Sequence, residues 1–551
     1  MQEKIKVLVQ MKYTRELRSA LTATRLSASA VSSIAIPGFS LDESYVPVKL
    51  PNRVQRERIG SMEVGRLFTF DSRPEESTYL IRGEVENKDA LNRLIETVKQ
   101  DPNGVGVFSD PRIGAFSVNP QDAVGNHTDV ANLLEISELQ ARGMDGSNVM
   151  VAIVDTGINI DYLRNKGVNA NIDASKSWTP IQDTVFGPGK YPPDHGTMCA
   201  FDVCIAAPNC TLLDYALLRS TAGGEPFMEG FLGDAIKAYS KLLELLTTNE
   251  QNKPRLVVNN SWGMYDPSWD FPVGHPGNYS DNPNHPFNII VESLDDAGAD
   301  ILFAAGNCGN ECPIKKCNGA TDRPIYGANS HPNVLCVAGV TIDKIRLCYS
   351  SQGPGRLDPN KPDICAYTHF KGSDVDDLPD TGTSAACPVA AGVIAAIRTV
   401  NSPNDFPPAT LRNIIRRYAE DIGQIGFDYD HGFGILNVMN TIDNLQKTPG
   451  IREIQVGELV SGSVKETGNI AMFKLTAKGI LNISLDGPEG VDFDLYVRKG
   501  AKPTTTEYDE RGYTGSASEN IMIQAEESSD FYIMVHSYSG AGDFRLKAIA
   551  E

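Results

Sequence analysis

Residues 151–159 read VAIVDTGIN, and this stretch decides the fold class. Val151–Val154 is a continuous apolar run with no alternation, the pattern of a strand covered on both faces in a parallel sheet. Asp155-Thr156-Gly157 follows without a break. A carboxylate is therefore expected at the carboxyl end of a central strand, where open α/β sheets bind their ligands.

Two more strings extend the reading, DHGTMCA at 194–200 and DTGTSAACPVAAG at 380–392. His195 opens an apolar stretch that predicts a helix and so a rigid mount for the imidazole. Ser384 precedes Ala385–Ile397, a run too short to span a bilayer and suited to a buried core helix. That places Ser384 at a helix N-terminus, where partial positive charge favours a developing oxyanion. A hydroxyl nucleophile needs a base, and the base needs a buried carboxylate to fix its tautomer. Asp155, His195 and Ser384 supply all three, in the chain order Asp, His, Ser.

At these motifs the chain resembles the subtilase (subtilisin-like) serine peptidases. The resemblance implies a serine endopeptidase working through an acyl-enzyme. In ILFAAGNCGN (301–310) it implies that Asn307 donates to the oxyanion beside the backbone N–H of Ser384. In VVNNSWG (257–263) it implies that Ser261, Trp262 and Gly263 pair with an extended substrate, as an added strand. With Ala304, Ala305 and Gly306, that segment is expected to wall the pocket for the residue before the scissile bond. GFGILN (432–437) resembles the string that closes subtilase catalytic domains and is expected to pack rather than react. A narrow processing peptidase and a transpeptidase share the chemistry up to the acyl-enzyme and remain open. A non-catalytic peptide-binding protein would need a degenerate motif, and no motif is degenerate here.

The chain has 551 residues, too many for one core, and its texture divides in three. Residues 1–125 read as strand–helix repeats: Ile5–Gln10 with a helical Arg15–Ala30, Thr78–Val85 with a helical Asn87–Gln100, then Val105–Phe108. This α+β, ferredoxin-like pattern resembles the inhibitory propeptides of subtilases, with Phe116–His127 expected to pass through the cleft. Residues 128–446 alternate strands and helices, as a doubly wound parallel sheet would, with Leu133–Gly143 expected as its first helix. An insertion, Met264–Asn288, follows the substrate-pairing segment and reads equally as a wall of the cleft or a rigid surface loop. Residues 452–551 alternate in short runs, including Ile521–Gln524 and Phe531–Val535, and predict a β-sandwich. They resemble bacterial prepeptidase C-terminal (PPC) domains.

Hydrophobic content of 41% and charged content of 22% are those of a globular protein. A net charge of −20 argues against nucleic acid, and no run is long and apolar enough for a transmembrane helix. Protein or peptide substrates, and the chain's own N-terminal domain as intramolecular inhibitor, are the expected partners. Ile5–Val9 is too short for the core of an export signal. The chain as written thus reads as intracellular, or as secreted if a leader has been removed. No cofactor is required for the chemistry. Calcium is a candidate at Asp492 and Asp494, whereas Arg164 stands where the family's tight calcium site would want an Asp. The acidic run Asp374, Asp376, Asp377 and Asp380 suggests a modest preference for basic substrates.

All ten cysteines lie between Cys199 and Cys387. Cys336, Cys348, Cys365 and Cys387 sit in apolar surroundings and read as free buried thiols. Cys308, Cys312 and Cys317 crowd one loop, where a local disulfide, free thiols and zinc all remain open. Cys199, four residues after His195, occupies a position where proteinase K-like and kexin-like subtilases also carry cysteine.

Overall fold

The structure is a computed structural model. It describes residues 4–12, 39–54, 67–69, 78–116, 122–180, 186–219, 228–248, 254–403, 406–447, 450–464, 467–505 and 507–550. Two compact units emerge, Met1–Asn52 with Phe68–Pro403 and Pro408–Asn440, and Arg53–Leu67 with Asn404–Pro407 and Thr441–Glu551.

The first unit is built on seven strands in the order Asn171–Ile172, Thr211–Tyr215, Val149–Val154, Arg255–Asn260, Asp300–Ala304, Leu335–Val340 and Ile364–Tyr367. Every pairing in it is parallel. Val149–Val154 comes first in the chain yet lies third in space, so the strand order reverses beside it and Asp155 projects at the switch point. Alternate residues of that strand serve opposite faces. Ala152 and Val154 pack in one cluster with Ile236 and Tyr239 of the helix Leu232–Thr247 and Phe287 of the helix Pro286–Asp296.

The helices His195–Ala206 and Thr383–Arg398 lie against each other. Every residue of the second is buried, as its unbroken apolar sequence requires. They approach closely because position 392 is Gly: a Cβ there would fall 2.3 Å from the carbonyl oxygen of Val203. The helix expected at Leu133–Gly143 is Ile136–Ala141, and a separate helix His127–Leu133 precedes it, the two divided at Glu135, whose backbone is left-handed at φ 52°.

The N-terminal residues form an antiparallel sheet of Phe39–Leu41, Thr78–Val85, Ile5–Lys12 and Gly104–Ser109, with Val48–Leu50 also on Thr78–Val85. The helix Lys88–Gln100 closes its core through Ala90, Leu91, Leu94 and Val98. The helix expected at Arg15–Ala30 lies outside the described residues. This sheet docks on the helix Leu232–Thr247 through buried charge. Arg82 Nη1 stands 3.0 Å from Asp234 Oδ2, and its Nε bonds Asp42 Oδ2 at 2.8 Å. Asp110 accepts from Gly233 N at 2.6 Å, and burial pushes its carboxyl up to about 6. Tyr45 Oη reaches Gly233 O at 3.0 Å.

The second unit holds one antiparallel sheet of seven strands in which a single parallel pair joins Ile451–Glu453 to Ile470–Asp486. The runs at Ile521–Gln524 and Phe531–Val535 belong to one strand, Glu519–Ser539, rather than two. It pairs with Ile470–Asp486 along nearly its whole length, with a register shift between Ala477 and Gly479. Phe473 from one half and Phe544, on the strand Gly542–Ala550 that pairs with the other half, meet at 6.0 Å within one core. The expected sandwich therefore forms from a single sheet bent over itself.

Candidate active site

The buried carboxylate comes first. Asp155 is fully buried, and its Oδ1 accepts from Thr156 N at 2.7 Å and lies 2.8 Å from His195 Nδ1. The turn and the helix of His195 interlock, since Gly196 N donates to Thr156 Oγ1 at 2.9 Å. A Cβ at Gly196 would fall 2.6 Å from Gly157 O, so only glycine allows this approach. Burial alone would lower the His195 pKa. Burial is the largest single influence, but the charge and the hydrogen bond of Asp155, with the charge of Asp194, together outweigh it, and the net shift is upward from 6.5. Among the described residues, Nε2 of His195 has no hydrogen-bond partner.

Ser384 stands in the first turn of its helix, and Pro388 shapes its surroundings. Proline has no N–H to return to the carbonyl four residues earlier. Ser384 O is instead met by Ser261 Oγ at 3.0 Å and by the Cys199 thiol at 3.6 Å. The roles of Cys199 and of the Ser261 side chain were not legible in the sequence, although the Ser-x-x-x-Pro spacing was a usable signal.

Asn307 lies beyond the strand Asp300–Ala304 and is fully buried. Its Oδ1 accepts from Thr383 N at 3.0 Å and Thr383 Oγ1 at 3.1 Å, which leaves Nδ2 as the outward donor. Thr383 also receives Gly306 N at 3.0 Å, so one side chain orients both residues.

The cleft holds a strand of the chain itself. Arg112–Ala115 runs antiparallel between Glu229–Phe231 and Trp262–Gly263, as the middle of three strands. Ala115 N donates to Met228 O at 3.0 Å and Phe116 N to Ser261 O at 3.1 Å, while Tyr265 Oη bonds Ala115 O. Phe116 O accepts from Asn307 Nδ2 at 2.6 Å and from Ser384 Oγ at 2.8 Å. Beyond Phe116, residues 117–121 lie outside the described residues. The chain then pairs with His369 and Lys371, through Val124 N to His369 O and His127 N to Lys371 O. The strand seated in the cleft is thus Arg112–Ala115, leading into Phe116, and residues 117–121 of the expected segment Phe116–His127 lie outside the described residues.

The Phe116 ring meets Tyr265 at 5.1 Å between centroids. It also lies where Cβ atoms at Gly263 and Gly306 would project, 2.5 and 3.3 Å from its Cζ. Asn329, unmarked in the sequence, donates to both Trp262 O at 2.9 Å and Ala304 O at 3.0 Å and ties the two expected walls together. Ala304 and Ala305 are buried behind that surface. The insertion Met264–Asn288 does two things. Tyr265 faces the cleft, while the remainder grips the N-terminal sheet: Ser109 gives its hydroxyl to Asp270 at 2.6 Å and its N–H to Gly277 O at 2.9 Å. Of the acidic run, Asp374 is paired with Lys166 at 3.0 Å and Asp380 is buried beneath Ser373.

The cysteines correct one expectation and decide another. Cys348 is not a free thiol but is bridged to Cys312, and the loop disulfide is Cys308–Cys317. The loop sulfurs are therefore consumed as bridges rather than offered to zinc. Among the described residues, one group of three potential ligands lies within 4.8 Å, namely Asp155, His195 and Cys199. Cys199 Sγ stands 3.9 Å from His195 Nδ1, the nitrogen already engaged by Asp155, and burial pushes its thiol well above the usual range. In the second unit, Asp494 Oδ2 lies 3.1 Å from Tyr496 Oη and 3.6 Å from His536 Nδ1. Burial, then Asp494 and Glu519, raises the Asp492 carboxyl.

The subtilase family model matches residues 146–434, more than half of the chain. The chain belongs to the subtilase family. The bacterial pre-peptidase C-terminal domain matches residues 469–537. Subtilisin DY of Bacillus licheniformis is 25% identical over 311 residues, covering 56% of this chain and 95% of its own length. Subtilisin E of Bacillus subtilis (strain 168) is 24% identical over 352 residues, 63% of this chain and 77% of its own. A calcium-dependent protease of Trichormus variabilis is 26% identical over 432 residues, 65% of this chain and 58% of its own. The protein is a subtilisin-family serine endopeptidase, and its family needs no cofactor for catalysis.

The crowding at Gly263 gives a sharp test of the pocket. Gly263→Val should lower kcat/KM for peptides with Phe before the scissile bond by about 100-fold, since overpacking a filled site costs about 1–3 kcal/mol. Peptides with Ala there should lose much less. Equal losses for both would remove Gly263 from the pocket wall.

Proposed function

We propose that Ser384 is the nucleophile of this endopeptidase. His195 takes its proton and returns it to the leaving amine, Asp155 orients His195, and Asn307 Nδ2 with the backbone N–H of Ser384 stabilises the oxyanion. One observation carries the assignment: the carbonyl oxygen of Phe116, at the end of an added strand, lies within hydrogen-bond reach of both Asn307 Nδ2 and Ser384 Oγ. Cys199 is a poor rival because it approaches the wrong nitrogen of His195. Attack on the Phe116 carbonyl releases the amine of Ser117 and leaves an acyl-enzyme that water hydrolyses.

The same geometry supports an inhibitory role for the N-terminal residues, with the chain cut between Phe116 and Ser117 and the cut strand held in the cleft. An aromatic ring in the pocket favours large apolar residues, rather than basic ones, before the scissile bond. Intact-mass measurement of the purified enzyme should show a chain beginning at Ser117, whereas Ser384→Ala should stay full-length. A full-length chain with full activity would refute the cut.

Only the neutral imidazole can accept the Ser384 proton. Because the His195 pKa is raised from 6.5, activity should be lost as pH falls through a value above 6.5. Asp155→Asn removes the raising charge and the correct tautomer. It should move the acid limb of kcat/KM downward and lower kcat by about 10,000-fold. An acid limb below the ordinary histidine value in the wild type would contradict this.

Calcium at Asp492 and Asp494 is supported by their like-charge crowding with Glu519, which a cation would relieve, and by the name of the Trichormus relative. Calcium should raise the melting temperature of the wild type but not of Asp492→Asn/Asp494→Asn. The same calcium-dependent rise in both would exclude this pair.

A further inference from the structure

Asn307 begins a long loop without regular strand or α-helix, and such segments are ordinarily the less rigid parts of a fold. An oxyanion donor must nevertheless hold its position to a fraction of an ångström. Two disulfides meet around it. Cys308–Cys317 turns the chain back directly after Asn307, so that Ile314 N reaches Asn307 O at 3.2 Å. Cys317 Sγ rests 3.5 Å from the same oxygen, a packing contact, since a bridged sulfur has no proton to donate.

Cys312–Cys348 links this loop to the segment that carries Tyr349 and Ser351. That segment holds both flanks of Asn307: Ser351 N donates to Gly306 O at 2.9 Å, and Ser351 Oγ accepts from Cys308 N at 3.0 Å. Tyr349 O accepts from Gly309 N at 2.8 Å. Tyr349 Oη accepts from Gly382 N at 3.1 Å, two residues before Ser384. The bridge is therefore a cross-brace between the oxyanion loop and the nucleophile turn. The two bridges also differ in access: Cys308 and Cys317 are buried, whereas Cys312 and Cys348 are half-buried.

We propose that Cys312–Cys348 is a redox-addressable brace that positions Asn307, so that the peptidase is fully active only with this bridge oxidised. The proposal rests on the assignment of Asn307 as oxyanion donor. A dithiol reductant supplies two electrons and two protons. One thiolate attacks a bridge sulfur to give a mixed disulfide, the second thiol closes into the oxidised reductant, and Cys312 and Cys348 remain as thiols. The Arg346–Glu311 ion pair, 2.7 Å across the same two segments, keeps them apposed after reduction.

The test compares kcat and KM for a peptide substrate in wild type, dithiothreitol-reduced and alkylated wild type, and Cys312→Ser/Cys348→Ser, each repeated with Asn307→Ala. Asn307→Ala alone should lower kcat by about 100-fold or more, the usual cost of losing such a donor. Reduction or the serine pair should lower kcat by about tenfold with KM within about twofold, and reoxidation should restore it. In the Asn307→Ala background the further loss should stay below about twofold, because the brace acts through Asn307. Peptide mapping should find Cys312 and Cys348 alkylated before Cys308 and Cys317. Unchanged kcat after reduction, an equal loss in both backgrounds, or earlier labelling of the buried pair would overturn the brace. If the serine pair fails to fold, the reduced wild type with unchanged circular dichroism decides. Wild-type kcat in Asn307→Ala would instead sink the oxyanion assignment.

Discussion

The contact on which the site depends is the near-touch of two helices at Gly392 and Val203. No larger residue permits it, because a Cβ would strike a carbonyl oxygen rather than a movable side chain. The helix with Ser384 in its first turn and the helix that starts at His195 are held together by that approach, over a sheet whose strand order reverses beside Asp155. Close packing of this kind is stiff, since interiors have the density of organic crystals. The residues proposed as the triad inherit their precision from it.

Electrostatics at the site follow from the same burial. Asp155 is out of water, receives the backbone N–H of Thr156 and faces the imidazole of His195. Two further buried carboxyls, Asp202 on the His195 helix and Asp380 four residues before Ser384, lie near each other. Burial pushes Asp202 well above the usual range and Asp380 up to about 6.

The cleft recognises backbone more than side chains. Arg112–Ala115 completes a sheet between two edges through main-chain hydrogen bonds, with Ile113 and Ala115 buried in the main core and the Phe116 ring against Tyr265. Recognition by an added strand yields affinity with little sequence demand.

The sequence by itself determined the chemistry and the sheet. VAIVDTG, HGT and GTSAACP each couple a reactive side chain to a local pattern, a buried strand end or a helix start, that short-range rules can read. The bent sheet of the second unit was read as runs of alternation but not as one long strand, because the register shift at Gly479 is set by the pairing partner. Thr383, Tyr265, Asn329, the Cys312–Cys348 bridge and the place of Phe116 were decided only by the tertiary structure. Each acts on a residue far away in the chain, Thr383 on Asn307 and Asn329 on Trp262 and Ala304. Nothing in a local string records such a distance: hydrogen bonds and disulfides depend on proximity in space, and that is created only when the sheet assembles and the helices close over it.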